Sequence, residues 1–158
     1  MEMSGEQPPA PVTPPAATRP PGPTSPDPAC IPPVNPKRIL LVDDDPAVTR
    51  SLKLNLECTL RYDVRTENDA RCVLPAVRQF HPDLILLDVV MPGMDGCEVA
   101  ARIHTDQELK DTPIVFLTAL ATNEDTGGRT TVAGSTVYLA KPVMLDELIR
   151  CIEVYARK

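Results

Sequence analysis

Four apolar runs in this chain each end in side chains able to do chemistry: RILLVDDD at 38–45, LILLD at 84–88, IVFLT at 114–118 and VYLAKP at 137–142. If Asp43, Asp44 and Asp88 meet, their carboxylates repel one another, and burying them is costly unless a partner charge is present. Such a cluster calls for a hard cation. All-oxygen ligation suits Mg²⁺, which takes few protein ligands and keeps waters and a phosphate oxygen in its shell. Lys141 offers a compact, mobile positive charge suited to a phosphoryl oxygen, and the Thr118 hydroxyl can hydrogen-bond the same group. An aspartate in that company can act as a nucleophile and form an aspartyl phosphate. The cation and the lysine would stabilise charge on the transferring group. Asp45 reads differently: directly before Pro46 it is placed as a helix N-cap.

The elements that must hold these residues follow from the apolar pattern. Strands are predicted at Arg38–Val42, Tyr62–Arg65, Leu84–Leu87, Ile114–Leu117 and Val137–Leu139, with helices at about 46–59, 69–80, 97–105 and 144–157. Continuous apolar strands bounded by turn signals suit a parallel sheet covered on both faces, and their alternation with helices points to a doubly wound α/β fold. Leu145, Leu148, Ile149 and Ile152 give the last helix one apolar stripe. Two places disagree with the pattern. Pro75 falls inside the second helix and is expected to kink it. The segment 122–131, TNEDTGGRTT, is a poor helix by propensity and is expected to form only a short or mobile element. In an open parallel sheet, ligands gather beyond the carboxyl ends of the strands. Every unusual polar residue above leaves at that edge, which explains why the apolar run at 84–87 ends in Asp88.

Composition narrows the function. Residues 1–36 hold 13 of the 19 prolines and few large apolar side chains, so this segment is expected to be disordered or partly polyproline II. Nothing in it resembles a secretory signal, and no stretch approaches the roughly 18 apolar residues of a membrane span. Residues 37–158 are expected to form one domain. They carry 19 acidic and 15 basic residues, a balance of −4 that argues against a nucleic-acid surface. Cys30, Cys58, Cys72, Cys97 and Cys151 show no ligand spacing with His81 or His104 and read as reduced thiols of a cytoplasmic protein.

Taken together, ILLVDDDP, PDLILLDVVMPGMDG, PIVFLTA and YLAKP closely resemble the receiver domain of two-component response regulators. The resemblance covers nearly all of 37–158 and implies a flavodoxin-like (βα)₅ domain with a five-stranded parallel sheet. It implies that Asp88 accepts a phosphoryl group from the phosphohistidine of a sensor histidine kinase or of a histidine phosphotransfer protein. Asp43, Asp44, Asp88 and the main-chain carbonyl of Val90 would hold Mg²⁺, with Thr118 and Lys141 contacting the phosphoryl group. The Lys141–Pro142 peptide is typically cis in such domains. A switch follows by the same resemblance: Thr118 moves toward the phosphoryl group, Tyr138 turns inward, and the surface offered to a downstream protein target or to a phosphorylation-dependent dimer is remodelled. Val90 and Leu120, flanking the site, are expected to hinder attacking water.

Two other functions compete. A haloacid-dehalogenase-type phosphatase would place its nucleophile in the Asp43–Asp45 run, but that reading leaves Asp88 without a role. A pseudo-receiver that is never phosphorylated tends to lose one of the key residues, whereas Asp43, Asp44, Asp88, Thr118 and Lys141 all stand here. With the sequence ending just after the last helix, a stand-alone receiver without an effector module is expected. It would not be an enzyme in its own right, though it would promote its own phosphorylation and dephosphorylation.

Overall fold

A computed structural model describes residues 35–119, 130–133 and 136–157. The strands are β1 (Lys37–Val42), β2 (Tyr62–Glu67), β3 (Leu84–Asp88), β4 (Ile114–Thr118), β5 (Thr130–Ala133) and β6 (Thr136–Ala140). The helices are α1 (Pro46–Glu57), α2 (Val73–Phe80), α3 (Gly96–Thr105) and α4 (Leu145–Tyr155). They build one sheet of order β2-β1-β3-β4-β6-β5. The first five strands in that order run parallel, and β5 is added antiparallel to β6 at the edge. The strand order reverses between β1 and β3, which is where a doubly wound sheet opens its ligand crevice.

Side-chain alternation along each strand divides the core in two. Ile39, Leu41, Leu84, Leu86, Val115 and Leu117 face α1 and α4, where Leu52, Leu56, Leu148 and Ile152 complete one cluster. Leu40, Val42, Ile85, Leu87 and Phe116 face the opposite way and pack with Val73, Val77, Val99 and Ile103 of α2 and α3. Burial on both faces accounts for strands that are apolar at every position.

Local chemistry sets the helix starts. The Asp45 carboxylate accepts the Ala47 N–H at 2.8 Å and Pro46 occupies the first turn of α1. Asp95 caps α3 in the same way, accepting from Cys97 N at 2.9 Å. Pro75, expected inside the second helix, falls in the first turn of α2. A 3₁₀ turn at Ala70–Cys72 precedes α2, so Pro75 is the third residue of the α-helix, where its missing N–H has no intrahelical acceptor to lose.

The end of the 122–131 segment, expected to form only a short or mobile element, lies in a short strand. Thr130–Ala133 pair as a strand with Thr136–Leu139. The expectations for 122–129 and for the proline-rich segment lie outside the described residues, apart from Asn35 and Pro36. No helix among the described residues is long and apolar enough to cross a membrane.

Candidate functional site

Strand register brings the polar residues to one level. Val42 is level with Leu87, so Asp43 leaves β1 beside Asp88 at the end of β3. Asp88 in turn pairs with Leu117, and Thr118 with Ala140, which places Lys141 one residue beyond the same edge. Oxygens of Asp43, Asp44 and Asp88 lie within 4.8 Å of one another. Asp43 is 1% exposed and Asp88 5% exposed, while Asp44 stands open to solvent.

The Lys141 ammonium lies between the two buried acids, 2.6 Å from Asp43 Oδ2 and 3.1 Å from Asp88 Oδ1. Its backbone N–H donates to the Thr118 carbonyl at 2.8 Å, and the Lys141–Pro142 peptide is cis. Burial pushes the Asp88 carboxyl up from its usual range; Lys141 opposes the shift, the Asp43 charge adds to it, and the Val90 N–H bond opposes it. Burial pulls Lys141 down, but its hydrogen bonds and charge contacts with Asp43 and Asp88 prevail, so its affinity for the proton rises.

Two buried carboxylates and an exposed third face a single lysine, and the uncompensated negative charge leaves room for a divalent cation. The donors are all hard oxygens, the ligand type that Mg²⁺ and Ca²⁺ accept and softer metals do not favour. The residues therefore fit a hard divalent ion.

Thr118 is buried at the exit of β4, 7% exposed. Tyr138 is partly buried, its ring stacked on Phe116 with centroids 5.5 Å apart. Val90 is 68% exposed at the rim; Leu120 lies outside the described residues. His81 and His104 are both exposed, away from the cluster. Among the described cysteines, Cys58, Cys72 and Cys97 are exposed thiols and Cys151 is buried.

Sequence reasoning missed two residues beside the site. Asn68, just past β2, donates through Nδ2 to the Asp43 carbonyl at 2.6 Å and to Thr49 Oγ1 at 3.1 Å. Its signal was present, since ENDA leaves the sheet at the same edge as the aspartates. The other is Gly96, the first residue of α3, where an added Cβ would lie 2.1 Å from the Asp88 carbonyl oxygen. Nothing in the sequence marks that close approach.

A doubly wound sheet carries this acidic cluster and lysine beyond the carboxyl ends of its strands, where such folds gather ligands. The family model "Response regulator receiver domain" matches residues 39–153, and the chain belongs to that family. It is 38% identical over 124 residues to the response regulator MprA of Mycolicibacterium vanbaalenii, a match covering 78% of this chain and 52% of that protein. It is 35% identical over 121 residues to RpaA of Synechocystis, described as a DNA-binding dual master transcriptional regulator, covering 77% of this chain and 49% of that protein. The chain thus spans about half the length of these curated relatives. Among solved structures, the Vibrio cholerae chemotaxis response regulator CheY4 matches with a TM-score of 0.63 at 25% identity, covering 77% of this chain and 99% of that one. The receiver domain of Francisella response regulator 1452 matches with a TM-score of 0.60 at 27% identity, covering 77% and 96%. The chain is therefore a two-component receiver domain, a signalling module of a kind that is generally not an enzyme.

Proposed function

We propose that Asp88 is the phosphoacceptor of a phosphorelay. A carboxylate oxygen of Asp88 attacks phosphorus in a phosphohistidine of a sensor histidine kinase or histidine phosphotransfer protein. The P–N bond breaks, and the departing imidazole nitrogen takes up a proton. The observation that carries this reading is the position of Asp88: buried at the end of β3 and held 3.1 Å from a lysine that is itself tied to Asp43. Asp43, Asp44, Asp88 and the Val90 carbonyl would hold Mg²⁺, which when bound supplies charge neutralisation of the transferring group. Lys141, released from its carboxylate partners, contacts a phosphoryl oxygen. Thr118, on the neighbouring strand end, contacts another.

The same arrangement supports a switch. A phosphoryl group adds negative charge and three strong acceptors at the β3 exit. Thr118 shifts toward it, and Tyr138, whose ring stacks on Phe116, turns inward, altering the face near β6 and α4 that a downstream protein or a second copy would read. The chain would promote both its own phosphorylation and its own dephosphorylation. Acidic balance favours a protein target for residues 37–158 over nucleic acid, and free thiols suit a cytoplasmic setting.

Intact-mass measurement after incubation with acetyl phosphate and Mg²⁺ tests the reading, with wild type and Asp88→Asn side by side. One phosphoryl adduct on wild type alone, abolished by prior EDTA, is expected. Labelling of Asp88→Asn to the same extent would move the chemistry to another carboxylate.

A further inference from the structure

We propose that Asn68 is the positioning residue for the acidic pair and sets the affinity of the site for its divalent cation. This inference rests on the reading of Asp43, Asp44 and Asp88 as the metal site. The two acids on the β1–α1 connection sit in a segment of only three residues between strand and helix, Asp43, Asp44 and Asp45. Internally it has one Asx-type bond, from Asp45 N to Asp43 Oδ1 at 2.9 Å. Beside the Lys141 contact to the Asp43 carboxylate and the α1 N–H groups that bond Asp45, the loop after β2 supports its main chain. At the start of the segment, the Asp43 N–H donates to the Glu67 carbonyl at 3.3 Å and the Asp43 carbonyl accepts from Asn68 Nδ2 at 2.6 Å. Beyond its far end, in α1, Thr49 Oγ1 accepts from the same Asn68 nitrogen at 3.1 Å. Thr49 is buried in the first turns of α1, and its hydroxyl is 3.2 Å from the Pro46 carbonyl it donates to. One amide therefore bonds the start of the segment directly and reaches its far end through Thr49, whose N–H donates to the Asp45 carbonyl at 3.2 Å.

Asn68 is itself held in place. The Glu67 carboxylate accepts the backbone N–H groups of Asn68 at 3.1 Å and Asp69 at 3.3 Å, fixing the direction from which the side chain reaches across. A donor pair in this fork needs an amide nitrogen: a hydroxyl has one proton, and a carboxylate has none to give. The Asn68 amide nitrogen bonds the Asp43 main chain and Thr49, not the carboxylates of the acidic cluster. It acts through Asp43 and Asp44, by limiting the arrangements their carboxylates sample before a cation arrives. Partners that orient metal ligands from outside the coordination sphere commonly account for tenfold or more in affinity. Asn68 holds a ligand's backbone rather than its carboxylate, so the low end of that range, about tenfold, is expected.

The test is titration calorimetry of the full chain with Mg²⁺ alone, comparing wild type, Asn68→Ala, Asn68→Ser and Asp44→Asn. Asn68 is exposed, so its truncation removes no core packing, and thermal unfolding of each variant checks that the fold persists. Both Asn68 variants are expected to bind Mg²⁺ about tenfold more weakly with nearly unchanged melting temperatures. Acetyl phosphate labelling of Asn68→Ala should be slow at low Mg²⁺ and recover to the wild-type rate at saturating Mg²⁺, a recovery that general destabilisation would not give. Wild-type affinity within twofold in both Asn68 variants, with binding lost in Asp44→Asn, overturns the proposal and leaves the metal site standing. Failure of the wild type to bind Mg²⁺ at all would overturn both.

Discussion

Gly96→Ala separates two opposing effects, and the structure decides between them. Alanine is the better helix former by about 1 kcal/mol in a helix interior, and less than that is on offer at the first residue of α3. Against it stands a tertiary clash. The new Cβ would lie 2.1 Å from the Asp88 carbonyl oxygen, 3.0 Å from its carbonyl carbon and 3.1 Å from the Val89 Cα, all backbone atoms that no rotamer change can move aside. Restoring ordinary contact near about 3.5 Å requires α3 and the β3 exit to part by more than about 1 Å. That movement drags Val99, Ala100 and Ile103 out of register with the core beneath them. It also strains the Gly96 N–H bond to the Val89 carbonyl, 2.9 Å long. Overpacking of this sort costs about 1–3 kcal/mol, so a net destabilisation of about 2 kcal/mol is expected, seen as a melting temperature lower by roughly 4–12 °C. Because the displaced atoms belong to Asp88 itself, acetyl phosphate labelling should slow by up to about a hundredfold, the effect of a 1 Å misplacement at a reacting group. Urea unfolding and labelling rates on the same preparations make the comparison. A Gly96→Ala protein as stable as wild type, or more so, would refute the steric argument and leave helix propensity in charge.

Other expectations are more direct. Val90 stands 68% exposed at the rim of the site, so Val90→Asn should admit and orient water there and shorten the lifetime of the phosphorylated state; an unchanged decay rate would remove Val90 from that role. Lys141→Ala vacates the cationic position between Asp43 and Asp88, so Mg²⁺ should bind at least as tightly by calorimetry while phosphorylation or its signalling fails; collapse of metal affinity would contradict the division of roles. Glu153 accepts from the Tyr62 hydroxyl at 2.7 Å and pairs with Lys37 and Arg61, contacts that hold its carboxyl below the usual range with the Tyr62 bond foremost. A lowered carboxyl contributes stability above its unfolded pKa and loses it as pH falls through the folded one. The urea midpoint should therefore drop on acidification below about pH 4.5, and drop less steeply in Glu153→Gln; equal slopes would deny Glu153 this part.

Much of the fold was legible because burial on both faces makes a parallel strand apolar at every position, as ILLV, LILL and IVFL are. Each strand nonetheless runs on by one or two residues, since Thr66, Glu67 and Thr118 satisfy backbone pairing that side-chain polarity does not report. The edge strand Thr130–Ala133 was not legible: TTVA is short, and its β-branched residues became a strand only because β6 supplied a free edge. Likewise the aspartates, Thr118 and Lys141 were readable from their places at strand ends. Asn68 and Gly96 were not singled out, because one acts by a bond 25 residues away in sequence and the other by having no side chain where two backbones touch.

The charge arrangement explains why these acids share one edge. A carboxylate inside either apolar cluster would have to give up its charge, whereas at the rim Asp88 keeps partners on two sides. Burial still raises its proton affinity, and the Asp43 charge raises it further, with Lys141 restraining both. One lysine cannot neutralise two buried acids and the exposed Asp44. A cation held by these acids would relieve that imbalance, and the ammonium, now bonded at 2.6 and 3.1 Å, would then be free to move. On the proposed function, the freed lysine would be available to a phosphoryl oxygen arriving at Asp88. On this argument the ion pairs seen here are the resting form of the same groups that would receive the phosphoryl group. The register of β1, β3, β4 and β6 puts them within reach of one another before any ligand binds.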